Sequence, residues 1–121
     1  MQEGAPVKNI PREVNLELGM PTAGAAVRRL TYELHLSKSM GVTVLKIIHG
    51  YGSTGKGGRI RVEARRYLEE QVRKRFIKGF ITGENFSIFD EDTRKAFLVC
   101  DGLRKDPDLE RHNNGVSFVI L

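Results

Sequence analysis

The spacing of apolar positions switches between period two and the 3–4 step of a helix, and each switch marks an element. Val14, Leu16 and Leu18 alternate with Asn15 and Glu17, which predicts a strand. Pro21 and Thr22 then open a helix with Thr22 as N-cap. Ala23, Val27, Leu30 and Leu34 form its apolar stripe, and Gly41 ends it. Val42 to Ile48 is β-branched and apolar on both faces apart from Lys46, the pattern of a central strand. A glycine-rich stretch, His49 to Gly58, leads into a second helix from about Arg59 to Arg75 that buries Ile60, Ala64, Tyr67 and Leu68. A third strand is expected around Ile77 to Thr82 and a short helix from about Glu91 to Leu103. Asn113-Asn114-Gly115 is a turn signal before a closing strand, Val116 to Leu121.

Strands alternating with helices imply parallel pairing through right-handed crossovers, hence a small α/β layered domain. Residues 1–12, with Pro6 and Pro11, read as an N-terminal arm, and 13–121 as a single domain in which 83–114 is an insertion. At 121 residues the chain is long enough to bury a core without staples. Its single cysteine, Cys100, excludes a disulfide framework and a Cys-based zinc site, and fits a reducing compartment. No apolar run approaches the ~18 residues of a membrane span. Met1 to Arg12 lacks a signal peptide's apolar stretch, so a cytoplasmic address and no membrane partner are expected.

Charge changes this picture from scaffold to ligand. The formal net charge is +5. Lys56, Arg59, Arg61, Arg65, Arg66, Arg73, Lys74, Arg75 and Lys78 face only Glu63, Glu69 and Glu70 between positions 56 and 79. From Glu84 to Glu110 the balance reverses to acidic. Positive charge concentrated on one segment suits a polyanion. Within that segment Glu63–Arg66, Glu69–Arg73 and Glu70–Lys74 have the spacing of helical ion pairs and read as a solvated face. Arg59 and Arg61 open the second helix and oppose the dipole at its N-terminus, a cost a docked anion would remove.

The glycine loop sits where a strand ends and a helix begins, so free N–H groups and a helix N-terminus converge on an anion. Three readings compete there. Gly50-x-Gly52-x-x-Gly55 spells a dinucleotide fingerprint, but the loop follows the second strand and only Glu84 is remotely placed for the ribose. Gly50-x-x-x-x-Gly55-Lys56 spells most of a P-loop, with Gly57 where a Ser or Thr would hold Mg²⁺. On that reading Phe97 to Asp101 imitates an apolar strand ending in a metal-binding Asp, although it reads better as helix.

The third reading starts from His49-Gly50 at a strand end, followed by the glycine loop and Ile60-Arg61-x-x-Ala64-Arg65-x-Tyr67-Leu68. This resembles the Smr (small MutS-related) domain, whose members carry H-G-x-G-x-G before a helix. Leu16-Glu17-Leu18-Gly19-Met20-Pro21-Thr22 is similar to that family's opening L-D-x-H-G-x-T. The resemblance covers about Glu13 to Thr82 and the final strand. It implies a two-layer α/β sandwich, β-α-β-α-β-β, with the acidic insertion before its last strand. It also implies binding to branched or duplex nucleic acid; some members nick DNA or cleave RNA, and some act with ribosomes. Glu17 stands where the family has Asp, and Gly19 where it has a His proposed to assist cleavage.

The expectation is therefore an Smr-like domain that contacts the phosphate backbone of structured DNA or RNA. Gly50, Tyr51, Gly52, Gly55, Lys56, Gly57, Arg59, Arg61 and Arg65 would hold the ligand, Tyr51 by stacking. His49 would stand beside the phosphodiester, with Glu17 to orient it or hold a divalent cation if cleavage occurs. No resident metal or cofactor is expected. With Gly19 replacing a titratable group, endonuclease activity should be weak or absent. The alternatives are a P-loop-like nucleotide enzyme using Lys56, or a protein-interaction module docking a basic partner such as a ribosomal protein on the acidic segment.

Overall fold

The computed structural model describes residues 10–51 and 57–121. Four strands, β1 (Arg12–Asn15), β2 (Val44–Ile48), β3 (Gly79–Thr82) and β4 (Val116–Ile120), form one sheet in the order β1-β2-β4-β3. Three helices accompany it: α1 (Ala23–Ser39), α2 (Gly57–Arg73) and α3 (Glu91–Val99). Single 3-10 segments occupy Gly83–Asn85 and Asp101–Lys105.

Each boundary has a local cause. Thr22 caps α1 by accepting from the Ala25 N–H at 3.1 Å, and Gly41 follows its end at φ +77°. β1 stops earlier than the alternation predicts because the Asn15 side chain accepts from the Glu17 N–H at 2.8 Å, bending the chain into a turn. Leu16 still donates to Ile48 O and is fully buried, but the turn throws Leu18 outward to 64% exposure. The buried stripe of α1 is also rotated from the expected one: Ala26, Leu30 and Leu34 are buried, whereas Ala23 and Val27 are half-buried. Glu33 and Ser37 share that face because Arg12, at the start of β1, reaches both at 2.8 Å.

β1 and β2 pair in parallel, as expected, but β4 is antiparallel to both β2 and β3. The expectation of parallel pairing throughout is thus corrected to a mixed sheet. Residues 83–114 leave the sheet at the end of β3 and return to that same end, where a Cβ on Gly83 would run into the Asn113 carbonyl. A strand re-entering there must run back.

Leu45, Ile47 and Val119 face α1 and α2, packing with Leu30, Leu34, Ile60, Ala64 and Leu68. Tyr67, expected in this core, is only half-buried against it. Val44, Val116, Phe118 and Ile81 face the other way and pack on Phe86, Ala96, Phe97, Cys100 and Leu103. The insertion therefore covers the second face of the sheet, which explains why β2 is apolar on both sides. Its one charge, Lys46, points into that cover and is held by Asp108 at 2.7 Å and Asp106 at 3.0 Å. Burial disfavours the lysine's charge, but these two carboxylates outweigh it and raise its pKa above the ordinary value.

Candidate nucleic-acid interface

The carboxyl ends of the parallel strands β1 and β2 lie side by side, each feeding a helix on the same face of the sheet. In an open α/β sheet this is where ligands bind. The turn after β1 carries Glu17, and the strand end of β2 carries His49 and Gly50. Gly50 has φ +75°, and a Cβ there would occupy the place of the Glu17 carboxylate. Only glycine meets both conditions. Among the described residues, Glu17 makes no side-chain hydrogen bond or ion pair, so its carboxylate stands over the backbone at the root of the loop.

His49 is the largest departure from expectation. Its ring is fully buried, so it does not stand in the open beside a phosphodiester. Nδ1 lies 2.8 Å from Gly50 O and Nε2 2.9 Å from Ser117 Oγ. A carbonyl only accepts, so Nδ1 carries the proton and Nε2 accepts from the serine hydroxyl. Both nitrogens are spent, and Glu17 does not orient the ring. Burial, aided by the charges of Arg65 and Arg61 against a smaller opposing effect of the Gly50 hydrogen bond, lowers its pKa from 6.5 to about 4. At neutral pH it is an uncharged strut.

Ser117 links this strut to α2. Its Oγ accepts from Arg65 Nε at 3.1 Å, and Arg65 Nη2 also donates to Val116 O at 3.2 Å. The outer edge of the same guanidinium grips Glu84 in a two-pronged pair at 2.7 and 2.9 Å. That hydrogen bond from Arg65 holds the Glu84 carboxyl below its ordinary pKa. Arg65, expected as an unpaired cation, is thus engaged within the fold. Ser117 and Glu84 escaped prediction as members of this network. Ser117 shows in the sequence only as a polar interruption of an apolar strand, the kind of signal Lys46 also gives.

Among the described residues neither Arg59 nor Arg61 makes a hydrogen bond or salt bridge. Arg66 pairs with Glu63 at 3.3 Å and Lys74 with Glu70 at 3.3 Å, as their spacing predicts, whereas Glu69 and Arg73 form no ion pair among the described residues. Arg59 lines a groove of about 360 Å³ with Met20, Pro21, Thr22, Ala23 and Gly24. This groove runs between the N-termini of α1 and α2, and neither helix carries an acid in its first turn. Two positive helix ends and one free guanidinium therefore meet in a single cleft. Tyr51 is exposed, and a Cβ on Gly115 would touch its ring edge. Gly52, Gly55 and Lys56 lie outside the described residues; Gly57 opens α2.

Two features that would have supported the nucleotide readings are not found among the described residues. Phe97 to Val99 belong to α3 and Asp101 opens a 3-10 segment, so no strand presents that Asp to a P-loop. Glu84 is committed to Arg65 rather than poised for a ribose. Several acids of the insertion are engaged within the fold: Asp90 caps α3, Asp106 and Asp108 hold Lys46, and Glu110 accepts from Ser87 Oγ and Ile88 N. Among the described residues no cluster of three His, Cys, Asp or Glu could hold a metal ion. No helix there is long and apolar enough to cross a membrane.

No family model and no curated protein sequence matches the chain. Among solved structures, the fold is similar to the crystal structure of the Smr domain of Thermus thermophilus MutS2. The two align over 91% of this chain and 96% of that one, with a TM-score of 0.55 and 21% sequence identity. The chain has an Smr-like α/β fold.

Proposed function

We propose that this domain binds structured DNA or RNA through the phosphate backbone at the cleft between the N-termini of α1 and α2. The observation that carries the reading is the meeting of two acid-free helix N-termini with the free Arg59 guanidinium in one groove. Arg61 extends the positive surface along α2. An anion there is stabilised by both helix ends and relieves the repulsion between arginine and dipole. The Smr-like fold supports the reading, since the neighbouring structure is a domain of a MutS2 protein. Tyr51, exposed immediately after Gly50, stacks on a base or sugar. Phosphates carry no base identity, so recognition follows the shape of the nucleic acid rather than its sequence.

Cleavage is weak or absent. A general acid–base needs a titratable group within reach of the scissile bond. His49 is buried and neutral, Gly19 offers no side chain, and Glu17 is the one carboxylate at the loop root among the described residues. His49 instead braces the strand end from which the loop springs.

The test is a binding assay with branched DNA and hairpin RNA of unrelated sequences. Arg59→Ala with Arg61→Ala should weaken all probes by a similar factor while the circular dichroism spectrum is unchanged. Sequence-dependent losses, or no loss, would refute backbone binding at this cleft. Robust nicking abolished by His49→Ala would refute the account of cleavage.

A further inference from the structure

The geometry points to a second phosphate subsite on the far side of α2, where Glu84 keeps the place of the phosphate while the protein is free. It rests on the nucleic-acid reading above and adds a residue that reading does not use. A groove of about 400 Å³ lies between α2 and the 3-10 turn at Gly83–Asn85, lined by Arg61, Val62, Arg65, Arg66, Glu69 and Glu84. Three guanidinium groups share it with two carboxylates.

Arg65 is built as a receptor. Its inner edge is fixed by Ser117 Oγ at 3.1 Å and Val116 O at 3.2 Å, bonds that owe nothing to Glu84. Its outer edge presents two parallel N–H groups, the fork that suits a carboxylate and a phosphate equally. In the free chain Glu84 fills that fork at 2.7 and 2.9 Å. The arginine side chain is 17% exposed, but that of Glu84 is 41% exposed, so the carboxylate is the half of the pair that water and a competitor can reach. Arg61 adds a free charge beside the fork, close enough to act electrostatically on Glu84. A phosphodiester entering the groove replaces one anion with another at an already oriented fork and gains Arg61 as well. Glu84 swings to solvent, and no covalent bond changes.

The consequence is a device that rejects weak anions: only a ligand also held at the first cleft brings a phosphate close enough to displace a tethered carboxylate. Glu84→Gln keeps the side-chain shape but removes the competing charge. With the full chain and a branched DNA probe, Glu84→Gln should tighten binding by about 5–10-fold, the gain from freeing a charge-assisted fork. Glu70→Gln removes the same charge from α2 where it holds only Lys74, and should change affinity by less than about twofold. Equal effects of the two variants, or weaker binding by Glu84→Gln, would overturn the proposal.

A measurement on the unaltered chain covers the case of a misfolded variant. In ¹⁵N NMR, adding branched DNA should shift the Arg65 Nη signals while the Nε–H held by Ser117 persists. Unmoved Nη signals at saturation would sink the second subsite. Failure of the unaltered chain to bind DNA or RNA at all would instead refute the proposed function, so the two failures are distinguishable.

Discussion

Acidification should destabilise this domain earlier than its carboxylates alone would allow, and the cause is His49. The ring is neutral in the fold with a pKa of about 4, against 6.5 when unfolded. A depressed histidine binds fewer protons folded than unfolded, so stability is full above pH 6.5 and falls as pH drops toward 4. Integrating that difference from pH 7.5 to pH 5 gives a loss of about 2 kcal/mol. For a domain of this size that corresponds to roughly 8 °C in Tm. The carboxylates with lowered pKa, Glu84, Glu110 and Asp108, have ordinary values of 4.5, 4.5 and 3.8 and lose their contributions only at lower pH. The interval from pH 7.5 to 5 thus isolates the imidazole. Urea denaturation across that interval should show the loss in the unaltered chain. His49→Gln should be less stable at pH 7.5 but nearly flat over the same range. A flat profile in the unaltered chain would mean that the ring is solvated or charged in the fold, and the strut assignment would fail.

Other perturbations test other joints. Gly50→Ala forces a side chain to φ +75° and displaces the Glu17 carboxylate. It should cost about 1–2 kcal/mol from the backbone alone, with any further loss recovered in a Glu17→Ala background, as read by a double-mutant cycle of denaturation. Lys46→Ala strands Asp106 and Asp108 under the insertion and should cost about 3–5 kcal/mol in urea denaturation, with proteolytic nicking appearing first in 83–114.

The order of elements was legible in the sequence because it rests on local signals. Thr22, Gly41 and the run from Val42 to Ile48 act within a few residues of themselves, and His49-Gly50 announces a strand end. What stayed hidden depends on distant partners. The direction of β4 follows from where the insertion returns, which no local period encodes. The burial of His49 follows from Ser117, 68 positions away, and the pairing of Arg65 from Glu84 across the groove. Leu18 alternates correctly for a strand, yet the Asn15 turn overrides the pattern. Helical spacing on α2 did mark the pairs of Arg66 and Lys74, but it also marked Arg73, which forms no ion pair among the described residues.

The central claim is that free cations and helix ends at the cleft neutralise a phosphate backbone, and its most direct test is the salt dependence of binding. With about four to six phosphates neutralised, a log–log plot of affinity against salt for branched DNA should have a slope of about −4 to −5. Replacing both Arg59 and Arg61 with alanine should reduce its steepness by about two. A slope near zero, or one that the double replacement leaves unchanged, would contradict the account.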